Sequence, residues 1–371
     1  MEHYLFAVTC LLLMGGMTAQ AQSKADQVRR IRQLYASAKQ QVENNGKEGK
    51  APLDMHIIVS NPELVSEDFE LDDETNIYYY FNREKKEADT DFLETAKCYL
   101  IIAGWTSNGN TRYSEFLFDP EQEHLLFAYM KGETDGGFIV ETRYYYDAKG
   151  NLIDQLHKMG NAENGLSEAA PGSHTWNDGD SEKEAGYHYL QVFKGVLFPN
   201  GKSSAAAERN GRVTPKVERM AFIRNTYAQA KQKSEQDLKA ELPRYMKITI
   251  HDQYIEDGPP VTGEICYFFE KLNEQDKTQS TLPHCYFISD HRSCMYFDHY
   301  NEYLFDTKDD NLIFSYCRSR EEGEEMEWRY YFDENRKCIE TKSNAEDTDS
   351  GKSDKVAAKE HLDVFNILVT P

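Results

Sequence analysis

The chain has 371 residues, and its 64 Asp and Glu against 42 Lys and Arg give a formal net charge of −22. That balance argues against nucleic acid as a ligand, since neutralising phosphates takes a basic stripe and none is visible. It fits a well-solvated surface, and no segment reaches the roughly 20 apolar residues that cross a bilayer, so no integral membrane insertion is expected.

At the start, the apolar run Tyr4 to Met14 is followed by Gly15-Gly16 and then by Ala19-Gln20-Ala21, a small-x-small pattern of the kind a signal peptidase cuts after. The expectation is a signal peptide over residues 1–21 and a secreted or periplasmic mature protein, although Met1-Glu2-His3 carries no Lys or Arg. Six cysteines follow, Cys98, Cys266, Cys285, Cys294, Cys317 and Cys338. Only one lies in the first half, so a fold shared by both halves cannot depend on disulfides, even where an oxidising compartment would permit them.

The rest of the chain reads as two tandem copies. IRQLYASAKQQ at Ile31 to Gln41 returns as IRNTYAQAKQK at Ile223 to Lys233, KCYLI around Cys98 as HCYFI around Cys285, SEFLFD at Ser114 as NEYLFD at Asn301, and ETRYYYD at Glu141 as EWRYYFD at Glu327. Each copy opens on a helical pattern. In the first, Val28, Ile31, Leu34, Tyr35, Ala38 and Val42 recur at three- and four-residue spacing. In the second, Met220, Ile223 and Tyr227 take matching places after Thr214-Pro215, an N-cap signal with Pro at the first turn.

Strands follow. Leu125, Phe127 and Tyr129 match Leu312, Phe314 and Tyr316 at every second position, the period of a strand with one buried face. In the next strand Tyr144 and Tyr330 lie on one face, and Glu141, Arg143, Tyr145 and Glu327, Arg329, Tyr331 on the other. Turn signals at Asp119-Pro120, at Asp147 to Asn151, at Asp306 to Asp310 and at Asp333 to Asn335 are closely spaced and imply hairpins. A second helical pattern closes each copy, over Tyr187 to Leu197 and Val356 to Leu368, and the polar stretch Asn161 to Glu184 reads as a mobile loop.

The resulting expectation is an α+β fold. Copy 1 spans 22–200, a linker 201–215, and copy 2 216–371, each a helix, an antiparallel meander of about six or seven strands and a helix, with the helices on one face of the sheet. Two such modules on a linker could engage two sites at once.

Candidate sites are few. His284, Cys285, His291 and Cys294 form the densest set of metal-capable side chains, and His291-x-x-Cys294 has chelating spacing. His284 and Cys285 point to opposite faces if they share a strand, which weighs against one shared ion. The acidic loop Asn177 to Glu182 offers oxygen ligands for Ca²⁺ but lacks the twelve-residue EF-hand pattern. No GxSxG, HExxH, Walker A or GxGxxG motif is present, so no catalytic residue and no cofactor is assigned. The recurring Glu115/Glu302 and Glu141/Glu327 suit ion pairs with Arg143 and Arg329 better than acid–base chemistry. The aromatic runs Tyr78 to Phe81, Cys266 to Phe269 and Tyr144 to Tyr146 suggest stacking platforms for sugars or peptides, with only the outward half of each run available.

The reading is a non-enzymatic binding protein whose ligand is a protein, peptide or glycan. Tyr145, Tyr331, Arg143, Arg329, Glu141 and Glu327 are its candidate binding residues. The alternatives are a hydrolase of an envelope or host polymer, which needs a cleft with two carboxylates, and a structural envelope protein.

Overall fold

The structure, a computed structural model, describes residues 23–45, 54–60, 74–83, 96–107, 110–133, 137–161, 163–169, 179–197, 214–239, 245–252, 261–270, 283–306, 309–321, 323–345 and 351–369. The expected signal peptide lies outside the described residues, as does the linker up to residue 213. No described helix is long and apolar enough to cross a membrane.

Helix α1 (Lys24–Asn44) leads into strands β1 (Asp54–Ser60), β2 (Glu74–Arg83), β3 (Ala96–Ser107), β4 (Asn110–Phe118), β5 (Leu125–Glu133), β6 (Phe138–Tyr146), β7 (Leu152–Asn161) and β8 (Gly165–Glu168), then helix α2 (Gly179–Leu197). The second half repeats the order with α3 (Lys216–Asp237), β9 (Tyr245–Asp252), β10 (Val261–Glu270), β11 (His284–Ser293), β12 (Phe297–Asp306), β13 (Asn311–Glu321), β14 (Glu324–Phe332), β15 (Cys338–Ser343) and α4 (Lys352–Val369).

These strands form one antiparallel sheet of 15, in the order β15 to β9 and then β1 to β8. The expectation of two six- or seven-stranded α+β modules therefore gives way to a mainly β structure, with fifteen strands against four helices among the described residues. The halves join where β1 pairs with β9, from Met55 opposite Asp252 to Ser60 opposite Lys247. Matching Met55 and Ile57 with Met246 and Ile248 makes Ile58 equivalent to Thr249, and these two residues face each other. The seam thus lies on an approximate two-fold axis, the geometry of a symmetric dimer interface. It also covers two strand edges that would otherwise be open to foreign pairing.

Helices cover both faces, not one. On one face α2 and α4 lie side by side over a core that runs across the seam, from Phe116, Tyr144 and Tyr146 through Ile57 and Ile248 to Tyr267, Phe269 and Phe332. On the other face α1 and α3 each seal a separate core. Val28, Ile31 and Ala38 of α1 meet Leu100, Leu117, Phe127 and Tyr145, and Met220, Ile223 and Ala230 of α3 meet Phe268, Phe287, Phe314 and Tyr331. Leu34, expected on the buried stripe of α1, is 42 % exposed.

Two-sided cover explains the continuous apolar runs. In Tyr144-Tyr145-Tyr146 every side chain is buried because alternate residues enter opposite cores, the pattern of a strand sandwiched between layers.

One register expectation fails for a local reason. Leu117 pairs with Phe127 but Phe118 pairs with Leu125, so Leu126 is an extra residue. The bulge sends Leu125 and Phe127 to opposite cores. The second half has the same irregularity at Leu304/Phe305, separating Leu312 from Phe314.

Ends and turns follow side-chain chemistry. The Ser23 hydroxyl caps α1 by accepting from the Asp26 amide at 3.2 Å, satisfying one of the open amides of a helix start. In the second half Pro215, not Thr214, is the N-cap of α3. Thr214 instead donates its hydroxyl to Glu334 at 2.6 Å. The Asp147 carboxylate accepts from the Lys149 and Asn151 amides at 2.8 and 2.9 Å, and Asp333 does the same for Asn335 and Lys337. The expected loop Asn161 to Glu184 contains β8 and the first turns of α2.

Candidate binding groove

A concavity lies where α2 and α4 run together above the start of β3. The helices approach closely because Gly195 has no side chain, and a Cβ built there would stand 2.5 Å from Val364 Cγ2. Beside that contact opens a groove of about 780 Å³, within the roughly 300–1,000 Å³ usual for ligand pockets. Cys98, Leu190, Phe193, Val364 and Ile367 supply its apolar walls, while Lys97, Glu123, Gln191, Lys194, Glu360, Asp363 and Asn366 bring polar groups. Lys194 and Glu123 form an ion pair across the sheet-to-helix gap. Burial raises the Cys98 thiol well above its usual range, so it stays protonated and acts as apolar wall.

The candidate binding residues read from sequence lie elsewhere, on the α1/α3 face. Tyr145 is 2 % exposed under α1, with its ring 5.1 Å from that of Phe127 and its hydroxyl accepting from Arg32 Nε at 3.1 Å. Tyr331 is buried under α3, 5.0 Å from the Phe314 ring. Neither is an open stacking platform, because each sits beneath a helix expected on the opposite face. Glu141 and Arg143 lie 3.8 Å apart, and Arg329 donates to Glu327 at 2.8 Å. Among Tyr78 to Phe81 the division is as alternation requires, with Tyr79 and Phe81 buried and Tyr78 and Tyr80 half-buried.

The metal-capable set does not converge. Cys285 is buried and donates to the Phe287 carbonyl, His284 lies 3.5 Å from Asp310, His291 lies 3.4 Å from Asp298, and Cys294 accepts from the Tyr296 amide. Among the described residues no group of three or more His, Cys, Asp and Glu side chains is placed to hold a metal. Within the acidic stretch Asn177 to Glu182, residues 177 and 178 lie outside the described residues. Glu182 is fully buried and pairs with Arg112 at 2.7 Å.

What sequence reasoning missed is a polar network repeated in both halves. Glu115, 4 % exposed, accepts from the hydroxyls of Tyr35 and Tyr113 and from Lys39 Nζ, the last at 3.0 Å. Glu302, 1 % exposed, accepts from Tyr227, from Lys231 and from Tyr300, the last at 2.5 Å. Burial, together with the adjacent carboxylate, raises all four tyrosine hydroxyls well above their usual range.

The network continues across the sheet in register. Glu115 faces Tyr129 and Tyr129 faces Arg143, as Glu302 faces Tyr316 and Tyr316 faces Arg329. Tyr129 and Tyr316 are pushed up to about 12 by burial and by Glu141 and Glu327. The signal was present in the matched Tyr35/Tyr227 and Lys39/Lys231, one helical turn apart and so on one face. Each network fastens a helix to the sheet.

A second charged cluster belongs to the second half alone. Asp290, 1 % exposed, accepts from Arg292 Nε at 3.1 Å and lies 3.3 Å from Nε2 of the fully buried His361 of α4. Burial alone would raise the Asp290 carboxyl, but the Arg292 guanidinium and His361 outweigh it and hold it well below the usual carboxylate range. The matched first-half positions are Ala103, Trp105 and Tyr189, so the cluster is not needed to build the common fold.

Comparison with family models, with curated proteins and with solved structures finds no match.

Proposed function

We propose that this chain is a non-enzymatic binding protein, secreted or periplasmic, whose ligand lies in the groove between α2 and α4. The observation that carries the reading is the groove itself, with a volume of about 780 Å³, apolar walls and a mixed-charge rim. Apolar walls supply the driving force of association, and a few polar groups at the rim orient the ligand. Its one thiol is held protonated by burial. A groove of this kind offers contact area to a peptide or an amphiphilic small molecule.

The test is a thermal-shift screen of residues 22–371 against peptides, glycans and amphiphiles, with every hit repeated on Gln191→Trp. Gln191 is exposed on α2 at the groove, so an indole there fills the space without touching the core. The expected result is a ligand that raises the melting temperature of the wild type in proportion to its concentration and leaves the variant unmoved. Hits that act equally on Gln191→Trp, or a panel with no hit, overturn the reading.

A further inference from the structure

We infer that the groove between α2 and α4 takes a short peptide with free termini, its carboxylate toward the β3–α2 wall and its ammonium toward the α4 wall. This rests on the groove being the ligand site and adds the chemistry of the ligand. The two walls carry opposite charge. Lys97 at the start of β3 and Lys194 on α2 line one side, with Glu123 as the only acid there. Glu360 and Asp363 line the other side from α4, three residues apart and so neighbours on the helix surface. One wall is net positive and the other net negative, in a chain whose total charge is −22.

These charges are open to a ligand. In the Lys194–Glu123 and Lys359–Asp363 pairs the side chains are 43 to 52 % exposed, and ion pairs that wet are weak enough to be shared with a ligand at small cost. Lys97 is half-buried and has no carboxylate partner among the described residues. Between the charges, Gln191 of α2 and Asn366 of α4 place exposed amides at the groove. A carboxamide both donates and accepts, which suits the N–H and C=O groups of a peptide and finds no counterpart along a hydrocarbon chain. The apolar floor then takes the peptide's side chains.

Length follows from the walls. Packed helices lie about 8–10 Å apart, and an extended chain spans about 3.3–3.6 Å per residue. A peptide of about three residues lying across the groove brings its two ends to the two walls. The duplication predicts one such site per chain. Matching α2 onto α4 pairs Gly195 with Ile367 and Lys194 with Asn366, and Lys97 is matched by His284, so the second half repeats neither the glycine nor the lysines.

The experiment is isothermal titration of residues 22–371 with a panel of tripeptides built from Leu, Val, Phe and Met, each with free termini, N-acetylated and C-amidated. The expected result is one site per chain for a free peptide, weakened about tenfold by either block. Lys97→Gln should weaken the free peptide to the level of the C-amide and leave the C-amide unchanged, and Glu360→Gln/Asp363→Asn should do the same for the N-acetyl form. Circular dichroism verifies the folds, and Asp363→Asn alone, at an exposed position, serves if the double variant is destabilised. Blocked peptides that bind as tightly as free ones, a Lys97→Gln protein that discriminates as wild type does, or a panel that does not bind overturns the inference. Amphiphiles that bind the wild type and not Gln191→Trp, with no peptide binding, overturn the peptide and leave the groove standing. Peptide binding that survives in Gln191→Trp overturns both.

Discussion

Lys231→Met is the sharpest test of how the helices are fastened to the sheet. Among the described residues Lys231 is the only cation on Glu302, whose side chain is 2 % exposed, while Lys231 itself is 35 % exposed. Removing one partner of a fully buried pair costs about 3–5 kcal/mol, because the remaining charge is left uncompensated. Exposed pairs are worth about 0–1 kcal/mol. Here the acid is buried, the base is partly wet, and the Tyr227 and Tyr300 hydroxyls still donate to the carboxylate. The expected loss is therefore about 2–3 kcal/mol, between those limits.

Glu302→Gln in the same chain removes the stranded charge but keeps an acceptor for both hydroxyls. The double variant Lys231→Met/Glu302→Gln should therefore return to within about 1 kcal/mol of wild type. Lys39→Met should match Lys231→Met, since Lys39 is 34 % exposed and Glu115 5 %. The assay is urea unfolding followed by tryptophan fluorescence and circular dichroism, with midpoints compared at equal slope. A loss below about 0.5 kcal/mol for Lys231→Met, or a double variant as unstable as the sum of its parts, would refute the argument.

Three further outcomes follow from other contacts. Gly195→Ala drives a methyl into Val364 Cγ2, and Val364 is stiff on its helix, so the variant should lose about 1–3 kcal/mol; adding Val364→Ala should restore part of it in a thermal melt. Tyr145→Ala should lose about 3–5 kcal/mol through cavity formation, and Tyr145→Phe about 1 kcal/mol for the Arg32 hydrogen bond, both read from urea midpoints; a Tyr145→Ala protein as stable as wild type would contradict its burial. Asp290 has a depressed carboxyl, so its contribution is complete above the unfolded value of about 3.9 and is lost as pH falls through the folded value. The stability gap between wild type and Asp290→Asn should be wide at pH 6 and shrink steadily toward pH 2, and a gap independent of pH would exclude the pair as its origin.

Much of the local structure was legible in the residues. The three- and four-residue spacing of Val28, Ile31, Tyr35 and Ala38 places a helix there because side chains one turn apart share a face, and the Asp147 and Asp333 turns are set by carboxylates that accept amides within five residues. The alternation that puts Tyr79 and Phe81 in the core under α2 and α4 and turns Tyr78 and Tyr80 to the opposite face is equally local. The runs Cys98 to Ile101, Phe116 to Phe118 and Tyr144 to Tyr146 are buried on both faces, but an apolar run does not say what covers it, and alternation alone leaves the outward half of Tyr144 to Tyr146 open.

Only the tertiary structure decided the rest. Which face α1 and α2 each take, and hence the burial of Tyr145 and Tyr331, depends on contacts between elements far apart in the chain. The bulge at Leu126 shifts a register that pattern alone makes regular. The pairing of β1 with β9 turns two sheets into one, and the approach of Gly195 to Val364 opens the groove. Periodicity acts over one or two turns of chain and specifies which side chains share a face. Backbone edges and apolar faces are chemically alike along the chain, so the choice among partners is made by the packing of the whole.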